Sequence, residues 1–136
     1  MTFFKQMFYF FVVCMISYYW RIGGSKMDKV YNKLVRDNIP EIIRRNGEEP
    51  VCHVLSEDEY WDALLKKDEE ELIEVKEADS IEERKKELAD KLELIRAMAE
   101  FNGFTLDDII KEAETKASKN GAFQKRLFLE RVVPKK

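Results

Sequence analysis

The chain has 136 residues, enough for one domain with a real core. Charged residues make up 38% of it against 5 glycines and 3 prolines, a balance that favours soluble helices and argues against a β-sandwich or a disordered tail. The formal net charge of −3 conceals an asymmetry: residues 1–26 carry Lys5, Arg21 and Lys26 with no acid, leaving 21 basic against 27 acidic side chains in residues 27–136. So acidic a body argues against broad binding to a nucleic acid polymer. Cys14 and Cys52 are too few for a disulfide framework, which makes a reducing cytoplasm the default location.

Residues 1–26 are unlike the rest. Residues 7–20 (MFYFFVVCMISYYW) are almost wholly apolar, with Lys5 before them and Arg21 after. That stretch falls short of the roughly 20 residues a helix needs to span a bilayer. No small-x-small cleavage site follows it, because Tyr18-Tyr19-Trp20 is bulky. Met27, after Gly23-Gly24-Ser25-Lys26, reads as the start of a domain. Three readings of 1–26 stay open: an overextended start, a membrane anchor, or a signal. The protein is membrane-anchored only if residues 7–20 are translated and retained.

From Met27 onward the punctuation is clear. Asn38-Ile39-Pro40 opens a short helix, since proline is tolerated in the first turn, and Gly47 closes it. Residues 50–55 (PVCHVL) read as a short extended segment, expected to pair with a strand at 125–131. Three longer helices are each announced by a capping sequence: Ser56-x-x-Glu59, Ser80-x-x-Glu83 and Thr105-x-x-Asp108. Gly103 separates the second from the third, and Asn120-Gly121 ends the third. On the first of them Trp61, Leu64, Leu65, Leu72 and Val75 make one apolar stripe; on the second, Ile81, Leu88, Leu92, Ile95 and Ala99 do so. The expected fold is therefore mainly α, an antiparallel helical bundle with a small two-strand element.

The acids are the most informative residues. Glu70-Glu71-x-x-Glu74 and Glu87-x-x-Asp90 are separated by twelve residues. Carboxylates three apart on a helix project from nearly one face and repel one another. Glu71 and Glu74 are set off from their apolar stripe by roughly 80° and 140°, and Glu87 and Asp90 from theirs by roughly 100° and 160° in the same sense. A short loop makes the two helices antiparallel, so same-sense offsets bring the four carboxylates to one side of the pair. Oxygen-only ligands on rigid helices suit a hard cation such as Mg²⁺ or Mn²⁺. A plainer reading is a solvated acidic face, neutralised by Lys66, Lys67, Lys85 and Lys86 through exposed pairs worth under about 1 kcal/mol. The matched second acid pair favours the cation site. His53, the sole histidine, reads as a strand residue, and a di-iron centre would need histidines on these helices.

Glu-Glu-x-x-Glu, twelve residues, then Glu-x-x-Asp resembles the signature of the MazG-like all-α nucleoside triphosphate pyrophosphatases. Residues 31–40 (YNKLVRDNIP) resemble the opening of a branch related to phosphoribosyl-ATP pyrophosphohydrolase, and Lys116-Ala117 through Gly121-Ala122-Phe123 to Lys125-Arg126 resembles its C-terminal segment. The likeness covers nearly all of residues 27–136, which it makes a MazG-like helical domain, and none of 1–26. It implies Mg²⁺-dependent cleavage of a nucleoside triphosphate or related nucleotide to the monophosphate and pyrophosphate. Carried over by position, Glu71, Glu74, Glu87 and Asp90 become metal ligands, and Glu70 lies outside them or orients water. Lys33, Arg36, Lys119, Lys125 and Arg126 are candidate phosphate contacts by charge. Lys125-Arg126 can equally be an edge-strand charge pair. Asn120 and Ala122 depart from the branch, which often has Arg and a second Gly there, and Lys91 interrupts a usually apolar run. An isolated helix pair rarely completes such a pocket, so a homodimer or higher homo-oligomer is expected. The alternative is a non-catalytic helical module that binds a nucleotide or a protein partner.

Overall fold

The computed structural model describes residues 27–134, so the apolar stretch at 7–20 and the three readings of it lie outside the described residues. Four helices are described: α1 (Ile39–Arg45), α2 (Glu57–Glu77), α3 (Ile81–Phe101) and α4 (Leu106–Asn120). The described chain is mainly helical, and none of its helices is long and apolar enough to cross a membrane. Two compact units divide between Met98 and Ala99, inside α3.

The capping sequences start the helices as expected. Ser56 Oγ accepts from the Glu59 N–H at 3.4 Å while Glu59 Oε2 accepts from the Ser56 N–H at 2.9 Å, closing a capping box at the start of α2. Thr105 and Asp108 form the same reciprocal pair on α4 at 3.2 and 2.9 Å. At α3 the second half differs. Ser80 Oγ accepts from the Glu83 N–H at 3.0 Å, but Glu83 Oε2 accepts from Asp79 N–H, one residue earlier, at 3.2 Å. Gly121 ends α4 at φ +83°, a left-handed conformation that residues with a Cβ seldom take.

In the first unit only Ala78, Asp79 and Ser80 separate α2 from α3, so the helices run antiparallel. Lys91 of α3 reaches across to Asp68 of α2, its Nζ 2.6 Å from Oδ1 and 3.3 Å from the backbone carbonyl. In this unit the face each helix buries overlaps its apolar stripe only at Leu64 of α2. On α2 the buried side chains are Leu64 and Glu71; in this unit α3 buries Glu87 and Leu94. The members of each pair lie seven positions apart, about two turns, so each pair marks one helix face. Of the two stripes, Leu64 and Ala99 are buried, Trp61 and Val75 are half-buried, and Leu65, Leu72, Ile81, Leu88, Leu92 and Ile95 are exposed. The stripes lie about 70° and 110° around their helices from the buried faces. Periodicity shows which residues favour burial but not what will cover them. Here Glu71 and Glu87 share the buried faces with Leu64 and Leu94, and Lys91 links α3 to Asp68 of α2.

The expected strand pair does not form. Residues 50–55 and 125–131 contain no strand, nor does any other described residue. Val51, Val54, Leu127, Phe128 and Leu129 are largely exposed, and a two-strand ribbon without a buried face is marginal in water. A turn also interrupts the second segment: the Arg126 N–H donates to the Phe123 carbonyl at 3.1 Å, with Arg126 at φ +54°.

Candidate metal centre

Glu71 lies on the inner face of α2 one turn before Glu74, and Glu87 occupies the facing position on α3. One carboxylate oxygen from each of the three lies within 4.8 Å of the others. Oxygens around a metal at 2.0–2.1 Å stand at most about 4.2 Å apart, so small rotamer changes would bring all three into one coordination shell. Glu71 and Glu87 are buried, at 5% and 7% exposure, and Glu74 is half-buried. Burying carboxylates together is costly unless a cation compensates them.

Lys67 supplies part of that compensation from one turn earlier. Its Nζ is 2.8 Å from Glu71 Oε1 and 3.3 Å from Glu70 Oε2. Burial works against the Lys67 ammonium, but the Glu71 and Glu70 carboxylates outweigh it and hold its pKa above the ordinary lysine value. The other oxygen of Glu71, Oε2, is buried with no hydrogen-bond partner, alone in this among the described side chains. A bare buried carboxylate oxygen typically costs 1–3 kcal/mol or more, so its position calls for a donor or a cation. Lone pairs with no hydrogen donor, beside two further carboxylates, fit a divalent ion.

Asp90, the fourth acid expected in the site, is turned to another partner. Its Oδ1 pairs with the guanidinium of Arg36, which lies in the turn before α1. Glu70 is half-buried and held by Lys67. Lys33 stands over the ring of Tyr31, Nζ 5.7 Å from its centroid. Lys119, in the last turn of α4, and Lys125 and Arg126, in the turn region after it, are exposed within the second unit. Lys119 suits the negative end of its helix dipole there. Along the sequence Lys67 is one of several lysines able to neutralise the acids and Lys91 an interruption of an apolar run, whereas in the structure each holds a particular acid. The first has i+3 and i+4 acids to signal its pairing; nothing local signals the second, whose partner is 23 residues away.

No family model and no solved structure matches the chain. A protein of Mycolicibacterium smegmatis (strain ATCC 700084 / mc(2)155), described as uncharacterized, is 54% identical over 48 residues. That stretch is 35% of this chain and 49% of the other, so the match spans about half of the relative's length.

Proposed function

We propose that this protein is a divalent-metal-dependent nucleotide pyrophosphohydrolase of the MazG-like type, cleaving a nucleoside triphosphate or related nucleotide to the monophosphate and pyrophosphate. The observation that carries this reading is the Glu71–Glu74–Glu87 cluster with the unpartnered, buried Glu71 Oε2 at its edge. Glu71, Glu74 and Glu87 would hold the ion, Mg²⁺ or Mn²⁺, and Asp90 would join them on leaving Arg36. When bound, the ion neutralises phosphate oxygens and lowers the pKa of water. Glu70, next to Glu71 and paired with Lys67, would orient that water without itself being a ligand. Lys33 and Arg36 precede α1 in the same compact unit and are the cationic candidates for phosphate binding; Lys119, Lys125 and Arg126 belong to the second unit.

The exposed stripes of α2 and α3 support a homodimer. Leu65, Leu72, Leu88, Leu92 and Ile95 need an apolar partner, and a second copy presents the same surface. The test is pyrophosphate release from a panel of nucleotides with Mg²⁺ or Mn²⁺. Turnover is expected with at least one nucleotide, and Glu74→Ala or Asp90→Ala should abolish it. No turnover across the panel, together with no metal binding by calorimetry, would leave the non-catalytic helical module.

A further inference from the structure

Two cationic side chains already sit on the acids of the groove. Lys67 Nζ is within 2.8 Å of Glu71 and 3.3 Å of Glu70, and the Arg36 guanidinium pairs with Asp90. They arrive from different places, one from within α2 and the other from the turn before α1. Lys67 holds Glu71 Oε1, beside the bare Oε2 of the same carboxylate, and Arg36 holds Asp90 Oδ1, one turn beyond Glu87. The Arg36 side chain is 59% exposed, and Lys67, 24% exposed, carries its charge on a flexible four-carbon stem, so each can exchange one anionic partner for another nearby.

We propose that Lys67 and Arg36 are tethered counter-ions of this groove: they neutralise Glu71 and Asp90 in the metal-free protein, yield those oxygens to the divalent ion, and then pair with the phosphate oxygens of the nucleotide. The proposal rests on the pyrophosphohydrolase reading. Charge explains why the exchange is favourable in both states. Without metal, Glu71, Glu74 and Glu87 bring three carboxylates within 4.8 Å of one another, with Glu70 next to Glu71 and Asp90 one turn beyond Glu87, and the two side chains offset the charge of Glu71 and Asp90. With metal bound, an approaching pyrophosphate group meets the same carboxylates. Cations released beside the groove would then be the groups that make the approach favourable. Arginine suits the forked contact to phosphate, lysine the point charge.

The experiment compares the full chain with Lys67→Met and Arg36→Met by calorimetry, titrating Mn²⁺ alone and then inorganic pyrophosphate at saturating Mn²⁺. Removing a competing cation should tighten Mn²⁺ binding, about two- to five-fold for the exposed Arg36 and up to about ten-fold for the more buried Lys67. The same variants should bind pyrophosphate at least about ten-fold more weakly. Lys67→Arg keeps the charge and should return both affinities towards wild type. A side chain with only a structural role would weaken both ligands together, which would overturn the proposal for that residue. Mn²⁺ binding no tighter than wild type, or pyrophosphate binding undiminished, would do the same. A wild-type protein that takes up no Mn²⁺ at all would remove the metal reading, and the handover with it.

Discussion

Replacing Glu71 by Gln should make the metal-free protein more stable and deprive it of stabilisation by metal. At an effective dielectric near 20, the 2.8 Å contact with Lys67 is an attraction of about 6 kcal/mol. Two carboxylates no farther than 4.8 Å repel Glu71 by at least about 3.5 kcal/mol each, or about 7 together. These nearly cancel, and partial exposure of Lys67 weakens the attraction further. What remains is the cost of dehydrating a carboxylate with one bare oxygen, which is several kcal/mol before relaxation. Glutamine keeps the shape and the acceptor for Lys67, and its amide N–H group can donate to the neighbouring acids. Lys67 also retains Glu70, so no uncompensated charge is left behind. The expected net gain without metal is about 1–3 kcal/mol, or roughly 4–8 °C in Tm for each kcal/mol. In Mn²⁺ at one hundred times its Kd the wild type should gain about 2.7 kcal/mol, whereas the variant should gain little. The two proteins should therefore approach or exchange their order of stability between EDTA and Mn²⁺ in thermal melts followed by circular dichroism. A Gln variant less stable than wild type in EDTA, or equally stabilised by Mn²⁺, would refute the reasoning.

The remaining predictions concern the caps, the alkaline limb and the exposed stripes. Ser56→Ala and Thr105→Ala should each cost about 1 kcal/mol in urea melts. The backbone N–H and hydroxyl of Ser56 hold Glu59 below the usual carboxylate pKa, and those of Thr105 do the same for Asp108. Their contribution is present above the unfolded pKa and lost as pH falls through the lower folded value, so the alanine variants should show a shallower loss of stability in acid. Lys67 has the opposite sign. Its raised pKa gives a contribution fully present below the unfolded value near about 10.4, lost as pH rises through the folded one, and Lys67→Met should lack that alkaline loss. If the exposed stripes meet a second copy, the wild type should scatter light as a dimer or larger and Leu92→Glu as a monomer; a monomeric wild type would refute that interface.

Much of the local structure was legible because its causes are local. The caps of α2 and α4 use residues three apart, and proline and glycine bound α1 within a turn of their own backbone preferences. The grouping of Glu71, Glu74 and Glu87 followed from helical angle and a short loop, both countable along the chain. Asp90 was placed by the same count, but its partner was not, because Arg36 is 54 residues away. The strand pairing of 50–55 with 125–131 failed for a related reason. A short apolar segment holds as a strand only when another surface covers one face, and these side chains are exposed.

By itself the sequence determined the helices, their ends, and the acid spacing that makes a cation site conceivable, since each depends on neighbours within about one turn. The tertiary structure decided what those pieces face. It buried Glu71 and Glu87 beside Leu64 and Leu94 while leaving most of the leucine stripes exposed, left Glu71 Oε2 bare, and set Lys67 and Arg36 on the acids. Whether a carboxylate is a solvated surface group or a buried ligand depends on how far its helix is rotated against its neighbour. That rotation is fixed by contacts between residues remote in sequence, such as Lys91 with Asp68.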